Sequence, residues 1–232
     1  MFYFDLTYFV YLMPAIALTI WAQARVSRAY AEGKRIAASS GASGADAAAL
    51  ILQLEGIDDV SIERVDGMLT DHYDPMNKVL RLSTEVYAGR SLAALGIAAH
   101  EAGHAIQHAR RYAPLVVRNL IVPVAGIGSN ASWLVMVAGL LLHSIHLITI
   151  GVLLFSTIVV FQVINLPVEL DASRRARTAL ASTGLIADRE DAVVAGVLNA
   201  AAWTYVAATL TSVLTLLYHL VRFGIVGQGD DR

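Results

Sequence analysis

The residues best spaced for chemistry lie in Ala98-Ala99-His100-Glu101-Ala102-Gly103-His104-Ala105-Ile106. The pattern is H-E-x-x-H, and its apolar flanks predict a buried helix. On a helix His100 and His104 stand one turn apart on the same face. Two imidazoles so placed can close on one metal ion at about 2.0–2.1 Å each. Glu101 points to the side of the pair, too remote to be a third ligand but within reach of a proton on an attacking water. A metal that acidifies water beside a carboxylate that takes the proton is the division of labour of a zinc peptidase. Left without a ligand, a His-Glu-His cluster would be costly to desolvate in so apolar a helix, which favours the metal over a packing role.

Composition says where such a helix must sit. Of 232 residues, 56% are hydrophobic and only 16% charged, and the mean hydropathy is +0.59. A soluble domain carries about 25% charged residues, so the sequence reads as an integral membrane protein, mainly α-helical. A net charge of −2 offers no basic surface and excludes nucleic acid as a partner. With no cysteine there is no disulfide frame, thiolate ligand or thiol nucleophile, which suits a reducing compartment. The first basic residue is Arg25, so the first apolar run reads as a retained anchor rather than a cleaved leader.

Four apolar runs are expected to cross the bilayer. Residues 1–23 form the anchor, with Pro14 predicting a kink and Tyr3, Tyr8, Tyr11 and Trp21 near its ends. Arg25, Arg28, Lys34 and Arg35 follow, placing the next segment in the cytoplasm by the positive-inside rule. Residues 113–166 read as a transmembrane hairpin, Leu120–Leu142 and Leu147–Leu166, turning at His143–His146. Gly126, Gly128, Ser129, Ala131 and Ser132 give its first arm a small-residue face for close packing. Residues 203–232 hold the last crossing, Trp203–Val221, and a short tail.

The polar segments between these runs must carry the site. Residues 24–112 read as the front half of a small α+β unit. They comprise a continuation of the first helix and a helix capped by Ser43 that stops at Gly56. Strands follow at Val60–Val65, Met68–Asp74 and Val79–Ser83, expected to pair antiparallel, and then a helix Leu92–Arg110 capped by Ser91. Residues 167–202 return to the same membrane side: Asn165 reads as a cap, Pro167 as a first-turn residue, and Asp188–Ala201 as a further helix. Arg174, Arg175 and Arg177 keep that end cytoplasmic.

A catalytic zinc has three protein ligands and one open position, so the third ligand must come from the returning segment. Glu169 and Asp171 both qualify, and being two apart they face different directions on a helix. Glu169 shares its face with Ser173, one turn on, which favours it. His108 reads as a polar helix-end residue, and His143 and His146 as interfacial. A donor to the oxyanion is expected from His72, Tyr73, Tyr87 or Arg174. The Val79–Ser83 strand could offer an edge to an extended peptide.

Three separated motifs carry a resemblance: His100-Glu-Ala-Gly-His104, Leu69-Thr-Asp-His-Tyr-Asp-Pro75 and Val168-Glu-Leu-Asp-Ala-Ser173. Together they resemble the YugP-type neutral zinc metallopeptidases of bacterial membranes, over most of residues 24–180. The helix order is similar to that of the HtpX-type membrane proteases, in which a glutamate opening an E-x-x-A-D pattern on a later helix is the third ligand. The resemblance implies a zincin-like, gluzincin-type domain split around the transmembrane hairpin, with one Zn2+ per chain on His100, His104 and Glu169. Ser173 stands where the pattern has Asp. A hydroxyl orients a ligand histidine more weakly than a carboxylate does, which keeps Asp171 open as the alternative.

The expected activity is hydrolysis of peptide bonds by a multi-pass endopeptidase of the bacterial inner membrane. Its site would face the cytoplasm and act in membrane-protein quality control. Its partners are the lipid bilayer, protein or peptide substrates, and further membrane proteins or copies of itself. The competing reading is a non-catalytic membrane scaffold or assembly factor with a structural metal site. Glu101 speaks against it, because a structural site needs ligands but no base.

Overall fold

Four long helices account for most of the chain, because its apolar runs are long and little interrupts them. The computed structural model describes residues 6–67 and 70–225. The start of the expected anchor with Tyr3, the first residues of the expected second strand and the tail Gly227–Arg232 fall outside these. The elements are α1 (Leu6–Arg35), α2 (Gly44–Leu54), β1 (Ser61–Val65), β2 (His72–Asp74), β3 (Val79–Ser83), α3 (Thr84–Ala88), α4 (Leu92–Ala109), α5 (Ala113–Leu141), α6 (Ile145–Ser182) and α7 (Asp188–Arg222). Helices α1, α5, α6 and α7 are each long and apolar enough to cross a membrane.

The chain divides into two compact units. One gathers residues 6–21, 117–166 and 204–225 of the described chain, the other 22–116 and 167–203. All four long helices contribute to both, and in α6 and α7 the structure departs from the sequence reading. Instead of ending near Leu166 and restarting, α6 runs unbroken through Pro167, and α7 runs through residues 202–203 without a break. A proline inside a helix removes one backbone hydrogen bond and costs about 3 kcal/mol. The helix continues all the same, with Val168 fully buried directly after the proline. Asn165 is 5% exposed and sits inside the helix rather than capping it.

In the apolar unit, α5 and α6 approach closely where Gly128 faces α6. A Cβ there would meet Thr157 Oγ1 and, at 2.8 Å, the Leu154 carbonyl oxygen. Gly126, predicted to share that small-residue face, meets open space. Tyr8 and Tyr11 of α1 pack edge-on against Tyr218 of α7, with ring centroids 4.8 and 5.9 Å apart.

The other unit is built around α4. Ser91 caps it as expected, accepting from the Ala94 N–H at 3.3 Å. Helix α2 starts on a full capping box, Ser43 and Asp46 bonding each other's backbone N–H, and ends before Gly56, whose φ is +67°. Leu92, Leu95, Ala98, Ala99 and Ala102 of α4 share one core with Ile51 of α2, Leu80 and Leu82 of β3, Ala176 and Leu180 of α6, and Val194 of α7. Each fully buried leucine there contributes about 1.5–3 kcal/mol of transfer free energy.

The sheet has the order β1-β3-β2. β2 pairs antiparallel with β3, His72 opposite Arg81, as expected. β1 instead pairs parallel with β3, Ser61 opposite Val79, which corrects the all-antiparallel expectation. The reason is topological: the chain reverses into β2 on the far side of β3 and reverses again, so β1 and β3 run the same way. β3 is thereby central, not an open edge, and β1 and β2 are the edge strands. Leu80 and Leu82 of β3 are fully buried, as a central strand requires. The short helix α3 was not expected; Thr84 and Glu85 open it directly after β3.

Candidate metal centre

Helix α4 supplies two imidazoles, and α6 brings a carboxylate to them. Nε2 of His100 lies 3.3 Å from Glu169 Oε2, and Nε2 of His104 lies 3.6 Å from the same oxygen. One ligand atom from each of His100, His104 and Glu169 fits within 4.8 Å of the others. Their rings stand nearly perpendicular, at 83° with centroids 4.8 Å apart. Glu169 is 4% exposed, yet its Oε2 has no hydrogen-bond partner. A buried carboxylate oxygen left unpaired is costly, and lone pairs of two nitrogens and an oxygen converging on one point fit a divalent cation. Two nitrogens and one carboxylate are also a donor set that zinc takes in catalytic sites. These three residues therefore fit the metal that the sequence implies.

The closeness of the two helices is set by Gly103. A Cβ there would lie 2.6 Å from the Ala172 carbonyl oxygen, so α4 and α6 touch backbone to backbone one turn from the ligands. Electrostatics point the same way. Burial opposes charge on His104, but the facing carboxylates of Glu169 and Glu101 outweigh it and push its pKa up. The field that favours a proton there equally favours a cation.

Glu101 is 9% exposed. Its Oε2 accepts the backbone N–H of Tyr73 at 3.0 Å, so the carboxylate is held by the edge strand β2. That N–H is free for the purpose because Tyr73, opposite Leu80, turns it away from β3. The Tyr73 hydroxyl lies 2.8 Å from Nδ1 of His108, giving the histidine one turn beyond His104 a partner. Burial, then the Asp59 and Asp74 charges, push the Tyr73 pKa up to about 12, so the phenol stays protonated.

The remaining sequence candidates are scattered. Asp171, the alternative third ligand, is 4% exposed but turned elsewhere. Its oxygens are taken by Arg174, by Arg175 Nε at 2.6 Å and by Gln107 Nε2 at 2.9 Å. That also engages Arg174, one of the four oxyanion candidates. Tyr87 packs against the hydrophobic core, and Tyr73 is held by His108. His72 is exposed, its Nδ1 2.7 Å from the Thr70 carbonyl. Ser173 does reach its expected neighbour, with Oγ 3.1 Å from Nδ1 of His100.

Two contacts escaped the sequence reading. The Tyr73 N–H is a backbone group, invisible in a pattern of side chains. Gln107, fully buried, has its Oε1 3.0 Å from Nδ1 of His104. A polar residue three positions after a candidate ligand, inside an otherwise apolar helix, was the available signal.

The family described as "Putative neutral zinc metallopeptidase" matches residues 8–224. The chain is 46% identical over 219 residues to the "Putative membrane protease YugP" of Bacillus subtilis (strain 168), covering 94% of this chain and 96% of that protein. No solved structure gives a significant match. With a family match that takes in all three motifs and an identity sustained over nearly the full length, the chain belongs to the YugP-type family of neutral zinc metallopeptidases.

Proposed function

We propose that the protein is a membrane-embedded zinc endopeptidase, with one zinc per chain held by His100, His104 and Glu169 and with Glu101 as general base. The observation that carries this reading is the convergence of the three ligand atoms around a buried, unpaired Glu169 oxygen. When bound, zinc supplies Lewis acidity, lowering the pKa of water and polarising a carbonyl. Glu101, oriented by the Tyr73 N–H, takes the proton of the attacking water and delivers it to the leaving amine.

The division of the chain supports a zincin-like, gluzincin-type domain formed by residues 24–112 and 167–202, split around the transmembrane hairpin 113–166. The anchor 1–23 and the last crossing 203–232 complete that scheme. Basic residues after α1, around residues 110–118 and at 174–177 favour a bacterial inner-membrane protein with its site toward the cytoplasm. Substrates are then membrane proteins or peptides at the bilayer, and the role membrane-protein quality control.

The test is the zinc content and peptide turnover of the purified protein beside three variants. Glu169→Ala loses the metal and the activity, Asp171→Ala keeps a metal, and Glu101→Gln keeps the metal but not the turnover. A wild type that holds no zinc after metal-replete purification defeats the proposal. Zinc without turnover on any protein substrate favours the scaffold instead.

A further inference from the structure

Gln107 is fully buried at the end of α4, where every polar atom must find a partner. Its amide nitrogen donates to the Val168 carbonyl at 2.8 Å and to Asp171 Oδ2 at 2.9 Å. Both partners only accept, so the amide can be oriented in one way. Its oxygen is left facing Nδ1 of His104 at 3.0 Å. An oxygen there demands an N–H, which places the imidazole proton on Nδ1 and leaves the Nε2 lone pair toward Glu169. The far end of the chain of contacts is also fixed. Asp171 is held by Arg174 and Arg175, and the Arg175 guanidinium lies 5.7 Å from the centroid of the Tyr112 ring.

The same side chain has a second effect. Val168 immediately precedes Glu169, so the bond to its carbonyl ties α4 to α6 next to the carboxylate that must meet the two histidines. His100 has only the Ser173 hydroxyl at its Nδ1, and a hydroxyl can donate or accept, so it fixes no tautomer. The burden of orientation falls on His104 and its amide.

We infer that Gln107 is the positioning residue of the metal centre, locking His104 in the Nδ1–H form and tying the histidine helix to the segment that carries Glu169. This rests on the metal reading above, and the test separates the two. Full-length protein in detergent micelles is titrated with zinc against a competing chelator, and its cobalt-substituted form is read by visible absorption. Gln107→Met, close in shape and without hydrogen bonds, weakens zinc binding about 10–100-fold, the usual effect of losing a partner behind a ligand histidine. Gln107→Glu keeps an acceptor at Nδ1 but sets an oxygen against the Val168 carbonyl and Asp171, so it too binds zinc more weakly than wild type. A carboxylate also makes the imidazole a stronger donor, so the cobalt bands of Gln107→Glu shift from those of wild type.

Folded Gln107→Met that binds zinc as tightly as wild type overturns the inference while leaving the metal site standing. If Gln107→Met does not fold, the cobalt spectrum of Gln107→Glu decides, and bands identical to wild type overturn it. A wild type that binds no zinc overturns this inference and the metal reading together.

Discussion

Gly103→Ala adds one methyl group at the contact between α4 and α6, without touching any ligand. The new Cβ would stand 2.6 Å from the Ala172 carbonyl oxygen, 3.2 Å from its carbon and 3.3 Å from its Cα, where ordinary contact begins at 3.4 Å. All three atoms are backbone, so no side chain can rotate out of the way, and the helices must separate by about 0.8 Å. Overpacking of this kind costs about 1–3 kcal/mol, a fraction of the roughly 5–15 kcal/mol that holds a folded protein together. The metal centre is far less tolerant. Metal–ligand distances are held within about 0.2 Å, and Glu169 sits on the same helix face as Ala172, one turn away. The variant therefore folds, with a lowered melting temperature, but loses zinc. Zinc content after gel filtration and thermal unfolding in the same detergent are the assay. A folded Gly103→Ala that keeps one zinc per chain at wild-type affinity would refute the idea that this contact sets the distance from Glu169 to the histidines.

Proton competition gives zinc-free and zinc-loaded protein opposite pH dependences. The raised pKa of His104 stabilises the zinc-free fold fully below the unfolded value of about 6.5, and that contribution is lost as pH rises through the higher folded value. Zinc needs the neutral imidazole, so stabilisation by zinc grows with pH and fades on acidification; melting curves with zinc and with chelator between pH 5 and pH 8 should therefore slope in opposite directions. Ser43→Ala removes the capping box of α2 and costs about 1 kcal/mol. It leaves zinc content unchanged, and a loss of metal there would mean that α2 supports the site directly. Asp46, the other half of that box, has its pKa lowered by the Ser43 backbone N–H and then its hydroxyl. Its contribution is present above about pH 3.9 and disappears as pH falls through the depressed value, a dependence that Asp46→Asn abolishes in acid unfolding. Gly128→Leu drives a side chain into the Leu154 carbonyl and Thr157, so it should destabilise the α5–α6 pairing, whereas Gly126→Leu, which meets open space, should not; thermal unfolding of the two compares them.

The sequence by itself determined the elements whose cause is local. The four apolar helices follow from runs of side chains that water rejects. The Ser43 and Ser91 caps follow from hydroxyls placed to accept early helix N–H groups. The pairing of His100 with His104 is a consequence of helical spacing alone, and it needs nothing from the rest of the chain.

Tertiary structure decided whatever depends on distant segments meeting. Pro167 looked like a helix start because its local cost argues for one, but α6 runs straight through it, with Asn165 and Val168 buried on either side. Strand direction was illegible for a similar reason, since β1 and β3 run parallel only because β2 lies beyond β3. The choice between Glu169 and Asp171 was the sharpest case. Both carboxylates are encoded two residues apart, and only the fold turns one to the histidines and gives the other to Gln107 and two arginines. A carboxylate's role is fixed by what faces it, and the groups that part these two, the paired histidines and Gln107, lie more than sixty residues away along the chain.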